Sequence, residues 1–377
     1  MSEAGAKKNW GSAPWVIDFR ASSDARAIPD EVDFAIVGGG FTGLAAAACL
    51  RRMDVAKSVA VFEAETIGAG ASGHTGGMCL GETAVGDLPG LGDVLNGFSG
   101  LLGELAVDCD LSLQGASELG RKEGGDKSAI HWSDSGDLHV VEEVAGGTID
   151  PGKMVSGLAR AAERSGAMIF ENARVENVEF DSGIRLQVAG RKIRARRVLF
   201  ATNAQSLELS GLAGSAQSKF TLALATEPLS DEQIEAIGLA SRKPFYTVDF
   251  PYLWGRLLNT NGVIFGSGLV HFTDWREVRS LDIASGEAGE LMWRLEKRVR
   301  GLHPVLRDVK VTHRWGGPIL MGAEWQLIFA QHPQSADAFV LGAYSGHGVA
   351  LSVYLGRWAA EVMLGRRELP KWDVAAE

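Results

Sequence analysis

The pattern Gly38-x-Gly40-x-x-Gly43 constrains this chain more than any other feature, because of the residues that flank it. A short apolar run, Asp33 to Val37, leads into it, and an Ala-rich stretch from Phe41 to Arg52 follows. A second apolar run, Val59 to Phe62, completes a strand, glycine turn, helix and strand within about 30 residues, the extent of a βαβ unit. In that setting each glycine has a physical task. Gly38 permits the tight turn, Gly40 lets backbone approach a pyrophosphate, and Gly43 lets the helix pack on the strand. The helix N-terminus, beginning with Phe41 and Thr42, then offers unpaired N–H groups and a partial positive charge to phosphate. Glu63, followed by Ala64, ends the second strand 20 residues after Gly43. A carboxylate there accepts hydrogen bonds from both ribose hydroxyls and disfavours a 2′-phosphate, the alternative being a solvated glutamate at a strand end. Up to this point the unit accommodates NAD and FAD equally.

Such local devices are needed, since the 377-residue chain carries a formal net charge of −10. That balance argues against a surface that collects phosphates, and nucleic acid is not an expected partner. The length allows two domains or one elaborated α/β domain, and a hydrophobic content of 46% is ample for a buried core. Cys49, Cys79 and Cys109 show neither metal-type spacing nor an even set of bridges, which predicts free thiols, a reducing compartment and no metal site. The N-terminus has no apolar signal region, and no stretch approaches the roughly 18 apolar residues of a membrane span, so a soluble, cytoplasmic protein without a transmembrane segment is expected.

Residues 1–30 read as an arm laid on the surface of the domain, part of it expected to be ordered by Trp10 and Trp15. From Gly86 to Glu143 a helical piece around Leu101 to Cys109 gives way to charged, Gly-rich segments of little periodicity, the pattern of an insertion. A helix resumes at 151–165 with Pro151 in its first turn, and short strands follow near 167–171, 174–180, 184–188 and 197–201. Between about 220 and 320, β-type runs (Phe245 to Val248, Gly262 to Phe265, Val309 to Thr312) and an amphipathic helix, Gly286 to Arg300, predict a second sheet. Two further apolar runs, Gln326 to Ala330 and Ala338 to Leu341, precede a helix over 348–364 that Gly365 and Pro370 terminate.

Three later segments concentrate small and polar residues. They are IGAGASGHTGG (Ile67 to Gly77, containing Gly70, Ala71, Ser72 and His74), RVLFATNA (Arg197 to Ala204, containing Ala201 and Thr202) and GAYSGHGVALS (Gly342 to Ser352, containing Gly346, His347, Gly348 and Val349). Together with VGGGFTGL, LATEPL (Leu224 to Leu229), GRLLNTNGVIFGSG (Gly255 to Gly268) and RWGGP (Arg314 to Pro318), they appear in an order that resembles the FAD-dependent amine and amino-acid oxidoreductases of the D-amino-acid oxidase family. GASGHTGG and RWGGP are most similar to its gamma-glutamylputrescine oxidase branch.

The resemblance implies an α/β fold: a Rossmann-type FAD-binding domain assembled from 31–85, 149–225 and 325–377, and a substrate domain with a mixed or antiparallel sheet from 86–148 and 226–324. It also implies that the Ala71 to Gly77 loop lies along pyrophosphate and flavin and that Val175 makes backbone contacts to adenine. Ala201, Thr202 and Gly316 join the cofactor set, and Gly346 to Val349 set backbone donors near flavin N1 and O2. The implied reaction is hydride transfer from the amine-bearing carbon to flavin N5, giving an imine, with oxygen or another carrier taking the electrons. No dedicated base is required if the amine binds neutral. The substrate is a small amine or amino acid.

Candidate catalytic or pocket residues are His347, Arg256, Trp315 and Tyr344, with Tyr252 and Trp254 as further walls; ordinary core aromatics are the alternative for each ring. Arg256 and Arg314 are candidate anion anchors, against a structural role. His74 stands where many relatives have Arg; it is read as a hydrogen-bonding group near the phosphates, the alternative being covalent attachment of FAD as in the dimethylglycine dehydrogenase branch. His347 is a flavin-side polar group or only a helix N-terminal residue. Where the family carries its carboxylate-binding arginine in a Gly-Leu-Arg-Pro context, this chain has Trp315-Gly316-Gly317-Pro318, which argues against a substrate held by its α-carboxylate. The short, charged stretch from Leu111 to His131 motivates another reading, an FAD-binding, non-catalytic or partner-dependent subunit of a dehydrogenase complex; a further rival on the same fold is oxidation of a hydroxyl-bearing substrate, with His347 the first candidate for its base.

Overall fold

The strand Glu31–Val37 is buried along its C-terminal half on both faces, which is what a strand inside a parallel sheet requires. In the computed structural model, which describes residues 8–22, 27–121 and 126–372, it pairs in parallel with Val59–Phe62 on one side and Arg191–Phe200 on the other. The sheet continues through Met168–Phe170 beyond Val59–Phe62, and through Ser335–Gly342 and the antiparallel Ile328–His332 beyond Arg191–Phe200. Successive side chains alternate between the faces. Phe34, Ile36 and Val61 meet the helices Phe41–Met53, Pro151–Arg164 and Gly348–Met363, while Ala35, Val37 and Phe62 meet the strands Val175–Glu179 and Ile184–Val188 on the opposite side. Asp150 caps the middle helix by accepting the Lys153 N–H at 2.8 Å.

The second sheet runs in the order 311–322, 216–226, 263–271, 254–257, 245–247, 116–120, 137–144, 126–133. Its strands are antiparallel except where Phe245–Thr247 pairs with Ala116–Gly120, and its core packs against the helix Gly286–Leu302.

Three features depart from the sequence reading. Residues 86–143 are not a loosely patterned insertion. They supply the helix Val94–Glu104, whose Asp93 cap sets its start earlier than Leu101, and three strands of the second sheet. Their apolar alternation is broken where the consecutive residues Glu142 and Glu143 are both charged and exposed and where the pairing register shifts beside Glu118. The run read as Val309 to Thr312 is the beginning of a twelve-residue strand, Val311–Gly322, which carries Gly316, Gly317 and Pro318. Pro318 is tolerated there because the strand lies at the sheet edge. Ala216–Thr226, grouped by sequence with the cofactor-binding segments, pairs with that strand in the second sheet. The amino-terminal arm is ordered in part by a tryptophan, as its sequence suggests: Trp10 is buried and donates its indole N–H to Val278 O at 2.9 Å. Cys49, Cys79 and Cys109 are free and buried. Among the described residues no helix is long and apolar enough to cross a membrane.

Candidate functional site

A cleft of about 840 Å³ is bordered by the C-terminal ends of the first sheet's parallel strands and by the face of the second. At one end the chain leaves its first strand at Gly38, whose φ of 113° is closed to most side chains; a Cβ there would also lie 2.6 Å from Ala201 O. Gly43 brings the helix against that turn so closely that a Cβ would sit 2.1 Å from Gly38 O. The helix opens at Gly40 without a side-chain cap. Phe41 N–H donates to Ser72 Oγ at 2.9 Å, and the first-turn N–H groups of Thr42 and Gly43 lie beyond reach of any intrahelical carbonyl.

Glu63 is no solvated strand-end residue. Its carboxylate accepts the N–H of Gly39 at 2.8 Å and of Glu65 at 3.0 Å, and borders the cleft beside Ala64, Arg174 and Val175. Burial pushes its carboxyl above the usual range, while the backbone donors of Glu65 and Gly39 pull it down. Across from it Ala201 and Thr202 follow the neighbouring strand, and Thr202 Oγ1 is buried with no hydrogen-bond partner among the described residues. A buried hydroxyl left unpaired in a cleft wall is a place for a ligand atom. The turn that excludes Cβ atoms, the uncapped helix end, the oriented carboxylate and this hydroxyl fit a dinucleotide.

The middle of the cleft is floored by Gly70 and the short helical turn Ala71–His74. His74 Nδ1 lies 2.8 Å from Gly70 O. A carbonyl only accepts, so Nδ1 carries the proton and Nε2 the lone pair. Burial holds the imidazole below its ordinary pKa, hence neutral near pH 7. Trp315 is fully buried and donates its indole N–H to His74 O at 3.0 Å, so it props this turn more than it walls a substrate space. Gly316 follows it along the cleft. Tyr344, buried and with its phenol pushed upward by desolvation, pairs with Thr42 Oγ1 at 2.7 Å and ties the approach to the last helix to the first helix. Gly346, His347, Gly348 and Val349 border the cleft where that last helix begins. His347 is kept neutral by burial, with Nδ1 3.4 Å from Ser345 O.

Two guanidiniums expected at the site are elsewhere. Arg256 lies behind the cleft wall, its Nε–H donating to Gly76 O at 2.5 Å and its pKa pushed down by burial to about 10. Arg314 is exposed and grips Glu296 Oε2 through Nε and Nη2 at 3.1 and 2.5 Å. Among the described residues Arg174, at the Glu63 end, is the one Arg or Lys bordering the cleft. The far end is apolar and aromatic. Tyr252 and Trp254 stand there, joined by three residues not anticipated from sequence, Tyr246, Phe250 and Trp325. Phe250 lies 4.3 Å from the Tyr252 ring and Trp325 lies 6.4 Å from it, measured between centroids. The aromatic density of Phe250-Pro251-Tyr252 was the available signal.

Residues 33–362 match the family model described as DAO, FAD dependent oxidoreductase. Among curated proteins the chain is 25% identical to gamma-glutamylputrescine oxidoreductase of Escherichia coli (strain K12), over 89% of this chain and 84% of the relative. It is 22% identical to glycine oxidase of Bacillus licheniformis, over 90% and 95%. Among solved structures, glycine oxidase from Geobacillus kaustophilus superposes with a TM-score of 0.72 at 20% identity, covering 92% of this chain and 98% of the other. L-proline dehydrogenase from P. horikoshii gives 0.71 at 16% identity, covering 91% and 96%. At these identities the structural likeness is one of fold.

Proposed function

This chain belongs to the DAO family of FAD dependent oxidoreductases, and on that premise we propose that it oxidises a C–N bond of a small amine or N-substituted amino acid, releasing an imine that water hydrolyses. FAD, when bound, supplies N5 as the hydride acceptor. Gly38, Gly40, Phe41, Thr42 and Gly43 would hold its pyrophosphate, Glu63 and Ala64 its ribose, and Val175 its adenine. Gly70, Ala71, Ser72, His74, Ala201, Thr202 and Gly316 would flank the remainder. The N–H groups of Gly346, Gly348 and Val349 would set a helix's partial positive charge where negative charge accumulates on reduction, the His347 N–H being taken by Tyr344 O at 2.9 Å.

The observation that best supports an amine is the charge pattern of the cleft: beyond Arg174 it offers aromatic faces and no guanidinium to hold an α-carboxylate. An amine that enters neutral asks the protein for orientation and a dry wall, and Tyr246, Tyr252 and Trp254 provide apolar surface for both. His74 and His347, each neutral and turned toward a backbone carbonyl, serve as hydrogen-bonding groups in this reading. His74 then holds FAD without a covalent bond. The electrons pass on to oxygen or another carrier.

The test is the visible spectrum of the purified protein before and after acid precipitation, followed by anaerobic addition of amines, N-methyl amino acids, free α-amino acids and alcohols. A yellow supernatant, bleached beforehand by an amine and more slowly by α-amino acids, is expected. Colour kept in the pellet would point to a His74 linkage. Bleaching by alcohols alone would favour hydroxyl oxidation, and bound FAD that nothing reduces would favour a non-catalytic subunit. A colourless protein that refuses added FAD would sink the reading.

A further inference from the structure

The loop that floors the cleft, Gly68 to Gly77, builds little apolar core of its own and is held chiefly by bonds from other elements, among them Phe41 N–H to Ser72 Oγ, Trp315 to His74 O and Arg256 to Gly76 O. Its regular part is the four-residue turn Ala71–His74, and its side chains are mostly too small to build a core. A segment with few apolar contacts of its own opens locally at low cost. Residues 8–18 border no part of the cleft, yet their contacts converge on this loop from behind. Trp15 donates its indole N–H to Gly73 O at 2.8 Å. Ile17 Cδ1 fills the space over Gly68 and Gly73, 2.8 and 2.9 Å from where their Cβ atoms would be. The Trp10 ring meets His74 edge-on at 5.2 Å, and Lys8 reaches over that ring to Glu65 Oε2 at 2.5 Å. Glu65 is the residue whose N–H orients Glu63.

Both ends of this segment are anchored, one to each sheet's elements. Asn9 exchanges backbone hydrogen bonds with Leu281 and Ile283, Gly316 N–H donates to Trp10 O at 2.9 Å, and Ser12 N–H donates to Arg314 O at 3.1 Å. At the other end Asp18 N–H donates to Ser156 Oγ at 2.9 Å on the helix Pro151–Arg164. The segment therefore runs as a tied strand beneath the loop, and two indole N–H groups, from Trp15 and Trp315, take the consecutive carbonyls of Gly73 and His74.

We propose that residues 8–18 are a strap that seats the cofactor loop, so that retention of FAD depends on Trp10, Trp15 and Ile17 although none of them touches the cleft. The proposal rests on the reading that the cleft holds FAD. If the strap strengthens FAD binding, linkage requires FAD to tighten the strap by the same factor.

Hydrogen exchange of the full-length protein, with and without FAD, reads that reciprocity directly: the amides of Asn9, Ser12 and Asp18 should exchange more slowly with FAD bound. Trp15→Phe keeps a six-membered ring but removes the donor to Gly73 O together with part of the indole's volume, and it should raise the FAD dissociation constant about fivefold, with a fall in melting midpoint that is larger with FAD bound than without it. Trp15→Ala combined with Ile17→Ala should weaken FAD tenfold or more. Unchanged exchange together with an unchanged dissociation constant overturns the strap. So does a midpoint that falls equally with and without FAD, since that would make the segment a brace of the fold and not of the cradle. Wild-type protein that binds no FAD overturns the functional reading along with it, whereas wild type and variants binding FAD equally overturn the strap alone.

Discussion

Gly43 has no room for a methyl group: the nearest atom to a Cβ there is the Gly38 carbonyl oxygen, and the next is the Ile36 side chain. Gly43→Ala must push the helix away from the turn, and that displacement moves the N–H groups meant for the pyrophosphate. Overpacking of about 1–3 kcal/mol, felt at the cradle, translates into a roughly ten- to hundredfold loss of FAD affinity. Fluorescence titration of the FAD-free protein measures it, and a dissociation constant within twofold of wild type would contradict the assignment. Tyr344→Phe makes a gentler test. It strands Thr42 Oγ1 in a buried position, which should cost about 1 kcal/mol of stability in urea unfolding. At this scale the sequence was informative wherever backbone does the work. The glycines and Glu63 are legible because their spacing alone says what must pass close to what. Arg256 and Arg314 were not legible as structural residues, because their direction depends on partners distant in sequence, the Gly76 carbonyl and Glu296.

The rim formed by Asp249 to Tyr252 is a stretch between two strands, yet it is held firmly from behind. The Asp134 carboxylate, with 5% of its side chain exposed, joins Arg121 Nη2 at 2.6 Å and Arg298 Nε and Nη2 at 2.9 and 2.5 Å. Arg298 in turn donates to Tyr252 O at 2.6 Å and Pro251 O at 2.7 Å, and Arg121 binds Asp249. Removing the shared carboxylate leaves Arg298, 16% exposed, without a carboxylate partner and Arg121, 12% exposed, with Asp249 alone, and breaking such a buried pair costs about 3 kcal/mol. Asp134→Ala should therefore lower stability by roughly that amount and raise KM for the amine that reduces the wild type, with FAD affinity unchanged. Steady-state kinetics beside FAD titration separates the two effects; an unaltered KM would show that the aromatic rim does not position substrate. The same stretch illustrates what sequence period conveys about elements. The centre of the first sheet was readable because Val59–Phe62 and the C-terminal ends of Glu31–Val37 and Arg191–Phe200 are buried on both faces and stand out as apolar runs, whereas the exposed, basic first half of Arg191–Phe200 did not. Val311–Gly322 was shortened because Gly316, Gly317 and Pro318 interrupt it, and only its edge position makes that interruption acceptable. The strands between 116 and 144 were hidden where consecutive charges and a register shift break their alternation, and the Asp134 clamp lies among them.

Across the whole molecule, burial sets the sign of the pH dependence. His74, His332 and His347 all have pKa values lowered by desolvation, so the folded state binds fewer protons than the unfolded chain as pH drops through the ordinary value of 6.5. Stability rises with pH wherever the unfolded state holds more protons, so the contribution of these histidines is complete above about 6.5 and is lost progressively below it. Glu63 and Glu82 act in the opposite sense: their raised carboxyls keep protons longer in the folded state, which favours folding as pH falls toward 4.5. The ion-paired carboxylates of Glu208 and Glu296, held below 4.5, matter only at still lower pH. Three histidines against two carboxyls predict a protein whose urea midpoint is level from pH 8 to 7 and declines from 6.5 to 5. His332 isolates one of these contributions, because it lies outside the cleft, 4.8 Å from Phe180 and 5.4 Å from Phe200, in a space shaped for a ring. His332→Phe keeps a ring in that space and removes the proton site, giving up Nδ1 as the acceptor of the exposed Gln334 N–H. It should flatten the decline by as much as about 1.4 kcal/mol per pH unit while FAD binding and turnover persist. A slope equal to wild type would mean that His332 is protonated as easily in the folded protein as in the unfolded chain, and would return the acid sensitivity to the two histidines beside the cleft, where bound FAD should then suppress it.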